Sequence, residues 1–113
     1  MRIRYATSKL EKYFNDYSLM QKKLPAEWVR SIKKTMNRLQ AAETFGDFLS
    51  LRLGHPERLS GYGDRVVYSV HITGNVRIVF ELDADNKTIT VCSELEIEKV
   101  VDYHGSKETV YLA

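Results

Sequence analysis

Residues 65–82 constrain the fold of this chain most, because their pattern is typical of a complete β-hairpin. Two runs rich in β-branched and aromatic residues flank the segment Thr73-Gly74-Asn75, which predicts a turn. Even-numbered positions of both runs are apolar, and odd-numbered positions are mostly polar, with Val67 and Val79 as exceptions. Since successive side chains of a strand point to opposite faces, the even positions predict a buried face and the odd positions a polar one.

The hairpin register follows from this alternation, since cross-strand partners must share a face. A two-residue loop would pair Ile72 with Arg77 and break the rule. A three-residue loop pairs Ile72 with Val76 and keeps it, with Asn75 in the left-handed conformation. The same register sets His71 opposite Arg77 on the polar face, so this face can present cations and an imidazole.

The length of the chain predicts one domain over residues 1–113, large enough to bury a single core. Its one cysteine, Cys92, cannot form an internal disulfide, which favours a reducing compartment. No apolar run reaches the length of a membrane span, and the N-terminus lacks a signal-peptide core. We therefore expect a cytoplasmic protein without membrane contact.

Charge is distributed unevenly along the chain. Residues 1–40 hold ten Lys and Arg against three Asp and Glu, a net +7, whereas residues 41–113 hold seven against twelve, a net −5. A basic half of this kind suits a phosphate-rich partner or an acidic protein partner. Solvated helices that merely carry Lys and Arg would give the same pattern.

The first half of the chain predicts a strand and two helices. Met1–Tyr5 alternates apolar and basic residues, as a short strand does. A capping box and an apolar stripe predict a helix over Ser8–Tyr17, and a second stripe predicts a helix from Pro25 to Ala42. The short link between them, around Lys22 and Lys23, makes them an αα-hairpin whose apolar faces need either a sheet or each other as cover.

The second half predicts further strands around the central hairpin. A short strand is expected near Leu49–Leu53, followed by a polar loop over His55–Gly61. Further strands are expected at Lys87–Cys92 and at Ile97–Tyr103, the last of the sheet, and residues 105–113 form an extension that docks or frays. The prediction is an α+β fold, with the N-terminal strand and two-helix hairpin packed on a mainly antiparallel sheet of four to five strands.

Residues with acid–base or phosphate-binding chemistry come from three parts of this sheet. The three histidines lack metal-ligand spacing, and no phosphate-binding glycine loop occurs, so no metal or cofactor is expected. The candidates are His55 and Arg58 from the loop, Arg65 and Arg77 from the hairpin, and Asp102, Tyr103 and His104 from the last strand. RNA transesterification needs such a set: a base for the 2′-OH proton, fixed cations for the charged phosphorane, and an acid for the leaving 5′-oxygen. Each residue also has an ordinary structural explanation, such as a core tyrosine or a surface ion pair.

Three motifs together resemble the HigB branch of the RelE/ParE toxins, also called plasmid-maintenance killer proteins. They are His55-Pro56 with a following basic residue and glycine, the segment from Tyr68 to Phe80 with its Gly74-Asn75-Val76-Arg77-Ile78, and Val101-Asp102-Tyr103-His104. The resemblance covers nearly the whole chain in the order strand, two helices, hairpin-rich sheet. It departs from the family at Arg58, where the family has a lysine, between Phe80 and Asp102, which is longer here, and at residues 105–113, which follow the family's usual end.

The resemblance implies a RelE-like toxin of a type II toxin–antitoxin system, acting as a ribosome-dependent mRNA endonuclease that inhibits translation. It implies metal-independent catalysis that forms a 2′,3′-cyclic phosphate, and neutralisation by a helix-turn-helix antitoxin. Its functional positions fall here on His55, Arg58, Arg77, Asp102, Tyr103 and His104. We add Arg65, Lys33 and Lys34 as phosphate-binding candidates on physical grounds.

Two other functions remain open on the same scaffold, because function depends on the site rather than on the fold. One is a ParE-like inhibitor of gyrase, which would not need the Asp102-Tyr103-His104 ending. The other is a catalytically inactive relative that only binds an antitoxin.

Overall fold

The computed structural model describes residues 1–113 as an α+β fold in which four helices pack against one mixed sheet. The helices are α1 (Ser8–Asn15), α2 (Tyr17–Met20), α3 (Ala26–Ala41) and α4 (Phe45–Ser50). The strands are β1 (Arg2–Tyr5), β2 (Glu57–Arg58), β3 (Val66–Thr73), β4 (Val76–Leu82), β5 (Glu94–His104) and β6 (Lys107–Leu112). The sheet therefore has six strands, one more than the upper limit predicted.

The long strand β5 organises the sheet, whose order is β1-β5-β4-β3-β2 with β6 also on β5. β1 runs parallel to the first part of β5, and every other pairing is antiparallel. β1 pairs with residues 94–97 and β6 with residues 100–104, so the two share one edge of β5 in succession.

Side-chain caps explain where α1 and α2 begin. The Thr7 hydroxyl accepts from the backbone N–H of Leu10 and starts α1. Asp16 is extended and caps α2 through the backbone N–H of Leu19, so the predicted helix over residues 8–17 breaks at this residue. The predicted second helix is confirmed as α3. None of the four helices combines the length and the apolar character that crossing a membrane requires.

The prediction of a strand near Leu49–Leu53 is wrong, because residues 45–50 form the helix α4. The Thr44 hydroxyl accepts from the backbone N–H of Asp47 and starts this helix, a signal that outweighs the apolar alternation. Phe45 and Phe48 are buried from its inner side, as helical spacing requires.

The predicted faces of the hairpin are confirmed. Even-numbered residues of β3 and β4 join the helices in the main core, among them Val70, Ile78 and Phe80. On the opposite face, Val67, Val79 and Val101 form a small second cluster covered by Leu59, Tyr62 and Tyr103. Burial in this second cluster explains why Val67 and Val79 are apolar on the otherwise polar face of the hairpin.

The predicted three-residue loop is wrong in detail. Thr73 pairs with Val76, which leaves a two-residue turn, and Gly74 rather than Asn75 has a positive φ, of 49°. The register shifts between His71 and Thr73, so Ile72 is the extra residue of a bulge. This bulge restores the alternation that a two-residue loop would break, and the predicted pairing of His71 with Arg77 is confirmed.

The predicted strand at Lys87–Cys92 is also wrong. The Asp85 carboxylate accepts from the backbone N–H groups of Lys87 and Thr88, and this local bonding holds a turn instead. The strand predicted at Ile97–Tyr103 exists but is longer, from Glu94 to His104, and it is not the last. The extension docks as β6, which pairs with β5 over Lys107–Leu112.

Candidate functional site on the open face of the sheet

The sheet has a helix face, which packs on the main core, and an open face, which carries no helix. Alternation assigns each residue to one of them. Arg77 pairs with both His71 and Val101, so all three lie on the open face. In β5 the register shifts opposite Val79 and Phe80, which makes Glu98 the extra residue of a bulge.

Arg77 is the most enclosed cation on the open face, with a side chain only 18% exposed. Its Nη1 lies 2.8 Å from a carboxylate oxygen of Glu57 and 3.4 Å from the Ser69 hydroxyl. The ring of Tyr103 lies 5.6 Å from the guanidinium, within cation–π range. The Nε atom is buried without a partner, so this guanidinium keeps donor capacity.

Arg77 and Tyr103 line an open depression of about 360 Å³. Tyr62 lies on its wall, and the carboxylates of Glu57 and Glu108 at its rim make it partly acidic. Burial is the main cause that raises the pKa of Tyr103, with Glu108 next. The phenol therefore keeps its proton at neutral pH and can donate a hydrogen bond.

His55 lies beside His71, with 5.8 Å between the ring centres. The backbone N–H of His71 donates to the carbonyl of Gly54 at 2.7 Å, which ties the loop before β2 to strand β3. Within this loop, Arg52 and His55 have φ values of 54° and 45°, in the left-handed region that non-glycine residues seldom adopt. The loop therefore holds His55 in a defined position at one end of the open face.

Asp102 and His104 lie on the other side of the sheet. Asp102 pairs with the core residue Val76, so its side chain is on the helix face. It accepts a hydrogen bond from the Tyr111 hydroxyl at 3.3 Å and lies 3.1 Å from Nε2 of His104. The structure therefore does not bring these two residues together with Arg77.

The remaining predicted residues are spread out. Arg58 pairs with Tyr68 in β2, and with Arg65 it lines a separate depression of about 420 Å³ at the turn before β3. Lys33 and Lys34 are exposed on α3, in the helix layer. Two pairs of predicted residues are in contact, Arg77 with Tyr103 on the open face and Asp102 with His104 on the helix face. His55 lies beside His71, whose backbone is opposite that of Arg77 in the ladder.

Arg65 pairs with a cluster of three glutamates on the open face. Oxygens of Glu81, Glu96 and Glu98 lie within 4.8 Å of one another, the only group of three or more such side chains close enough to ligate a metal ion. Arg65 Nη2 lies 2.7 Å from Glu81 and 3.5 Å from Glu98, so a guanidinium already supplies positive charge there. Burial, followed by the neighbouring Glu96, raises the pKa of Glu98 to about 7.

Two residues of this site were missed by sequence reasoning. The sequence pattern pairs His71 with Arg77 but assigns no catalytic role to its imidazole. Glu57 was not considered, although it follows His55-Pro56 directly and its pairing with Ser69 sets it on the open face. A short strand of two residues gives no periodic signal from which that pairing could be predicted.

No protein-family model matches the chain, and neither the curated proteins nor the solved structures contain a significant match.

Proposed function

We propose that this chain is a RelE-like toxin of the HigB branch, a metal-independent endoribonuclease that cleaves mRNA on the ribosome and is neutralised by a helix-turn-helix antitoxin. The order of elements supports it, since a strand and helices precede a hairpin-rich sheet as in the resemblance. One observation carries the proposal: Arg77 and Tyr103, from different strands, meet at an open depression on the face that no helix covers.

The chemistry of this depression suits phosphoryl transfer. A guanidinium fixed by neighbouring side chains stabilises charge that develops on a phosphorane, and such donors typically contribute about 10²–10³-fold to a rate. The protonated Tyr103 phenol supplies a second donor. Among the residues that the resemblance assigns, His55 is the proton carrier at this end of the face, since it lies beside His71, the cross-strand partner of Arg77.

The basic helix layer supports a second contact surface. Lys33 and Lys34 are exposed on α3, remote from the open face, so they can meet ribosomal RNA while mRNA occupies the depression. Contacts of this kind weaken as salt concentration rises. An acidic segment of an antitoxin would bind to the same two lysines.

The test is growth and mRNA integrity after expression without an antitoxin, followed by translation-coupled cleavage with purified protein. We expect growth arrest, and cleavage that falls about 10²–10³-fold in Arg77→Ala. Arg4→Ala is the matched control, because Arg4 also pairs with a glutamate, Glu94 at 3.6 Å, but at the opposite edge of the sheet. Normal growth with intact mRNA would refute the proposal.

A second candidate is a catalytically inactive relative that binds an antitoxin. Two observations favour it: Glu57 neutralises Arg77, and Asp102 and His104 lie across the sheet. Their catalytic role stays a prediction from the resemblance. Normal growth together with tight binding to the product of a neighbouring antitoxin gene would favour this candidate. A DNA-damage response with intact mRNA would instead indicate the gyrase-inhibiting alternative.

A further inference from the structure

We propose that His55 and His71 are the two proton-transferring groups of the open-face site, and that His71 takes the place which the resemblance gives to His104. This inference rests on the proposed endonuclease function and adds a residue to it. The observation behind it is a pair of neighbouring imidazoles, one of which belongs to the cross-strand partner of the enclosed Arg77.

The two rings are neighbours, with centres 5.8 Å apart and planes inclined by 59°. They come from different elements, His55 from the loop before β2 and His71 from β3, yet the Gly54 carbonyl joins the two backbones. A proton-transferring nitrogen must lie within about 3 Å of its oxygen, and rings this close can both approach one phosphodiester. Arg77, directly opposite His71 in the ladder, adds a cation at the same end of the face.

Local contacts give His71 a defined orientation. Its Nδ1 lies 3.2 Å from the carbonyl of Gly74, and because a carbonyl only accepts, Nδ1 carries the proton of this bond. The neutral ring then has its lone pair on Nε2, which is the arrangement of a general base held by a backbone carbonyl. His104 is held differently, by the Asp102 carboxylate on the far side of the sheet.

The strained loop gives His55 a defined position as well. A left-handed backbone at a non-glycine residue costs free energy, and such residues concentrate at functional sites. His55 is exposed and shares a depression of about 250 Å³ with Arg52, so a second cation borders this imidazole. Glu57 follows two residues later and is the nearest acidic group in sequence, paired with Arg77 at 2.8 Å.

The reaction balances with these groups alone. A neutral imidazole accepts the proton of the ribose 2′-OH while O2′ forms a bond to phosphorus, and Arg77 stabilises the added charge. The bond from phosphorus to O5′ breaks, and the other imidazole, protonated at the start, gives its proton to O5′. The products are a 2′,3′-cyclic phosphate and a 5′-hydroxyl, with the protonation states of the two imidazoles exchanged.

The first experiment follows the imidazole C–H signals by NMR, which is practical because the chain has only three histidines. We expect uridine 3′-monophosphate to shift the signals of His55 and His71 and to leave that of His104 in place. Inorganic phosphate, as a second probe, distinguishes recognition of phosphate from recognition of the nucleoside. A shift confined to His104, or no shift at millimolar nucleotide, overturns the proposal.

The second experiment measures cleavage of mRNA on ribosomes against pH with the full chain. We expect His71→Gln and His55→Asn each to lose about 10²–10⁴-fold, because each removes a proton-transfer group. Each variant should also lose one limb of the bell-shaped pH profile, which a purely structural residue would not change. Asparagine is used at position 55 because it tolerates the left-handed backbone, and thermal unfolding checks that both variants fold.

The outcomes separate this inference from the proposed function. If the wild type cleaves, Arg77→Ala is impaired and His71→Gln keeps the wild-type rate and profile, the function stands and the role of His71 is refuted. The same holds if His104→Gln loses more activity than His71→Gln. If the wild type does not cleave mRNA at all, both proposals fail together.

Discussion

Glu98→Gln should stabilise the protein at neutral and alkaline pH but not in acid. Glu98 is the extra residue of the β5 bulge, and its Oε1 atom is buried without a hydrogen-bond partner. Burial, followed by Glu96, raises its pKa from the ordinary 4.5 to about 7, although Arg65 acts in the opposite direction. The folded chain therefore binds the proton of this carboxyl more tightly than the unfolded chain does.

The sign of the effect follows from that difference in proton binding. Below pH 4.5 the Glu98 carboxyl is protonated in both the folded and the unfolded state, and its contribution to the stability of the fold is fully present. This contribution is lost as the pH rises from 4.5 to about 7. This pKa difference corresponds to at most about 3 kcal/mol. Because the carboxyl remains partly accessible to water, screening reduces the expected effect to about 1 kcal/mol.

Urea unfolding of wild type and Glu98→Gln at several pH values between 4 and 8 provides the measurement. Because glutamine stays neutral, the free energy of unfolding of the variant should rise relative to that of the wild type by about 1 kcal/mol between pH 4.5 and pH 8. Glu94→Gln is the matched control from the same strand, since its carboxylate pairs with Arg4 at 3.6 Å outside the acidic cluster. A difference between Glu98→Gln and wild type that does not change with pH would refute the reasoning.

Three further predictions follow from single contacts. Glu57→Gln should tighten binding of a labelled RNA oligonucleotide about 5–10-fold, because the RNA phosphate then neither has to break the exposed Glu57–Arg77 ion pair nor is repelled by the Glu57 carboxylate. An unchanged Kd in fluorescence anisotropy would contradict this. Tyr111→Phe should lower the free energy of unfolding by about 1 kcal/mol by removing the hydrogen bond to Asp102; unchanged urea unfolding would mean that this bond contributes nothing. Gly54→Ala should cost about 1–2 kcal/mol because φ is +75° there; unaltered thermal unfolding would show that the loop adjusts freely.

The sequence predicted the faces of the central hairpin correctly because burial enforces them. Val66, Val70 and Ile78 had to share one side of the sheet, and any register that separated them would expose apolar surface. The pairing of His71 with Arg77 followed from the same constraint. The loop length did not, because a single extra residue at Ile72 satisfies alternation as well as a longer loop does.

The failures have local causes. Ile89 and Val91 alternate with polar residues as strand residues do, but Asp85 closes a turn on the following backbone N–H groups, and Val91 is 67% exposed. Thr44 similarly starts a helix in a segment whose leucines alternate. In both segments one side-chain cap decides the conformation, and periodicity over a few residues does not reveal it.

The candidate site was harder to predict than the fold because three of its proposed members are consecutive. Asp102, Tyr103 and His104 can act on one substrate only if the chain leaves the extended conformation there, since neighbours in a strand point to opposite faces. Both neighbouring strands prevent this: β4 pairs with β5 up to Asp102 opposite Val76, and β6 pairs with it as far as His104 opposite Lys107, which keeps the tripeptide extended. Tyr103 is left beside Arg77, while Asp102 and His104 face the helices. The extension, which could dock or fray on the evidence of the sequence, thus helps to hold His104 on the face away from Arg77, whereas His71 lies opposite Arg77.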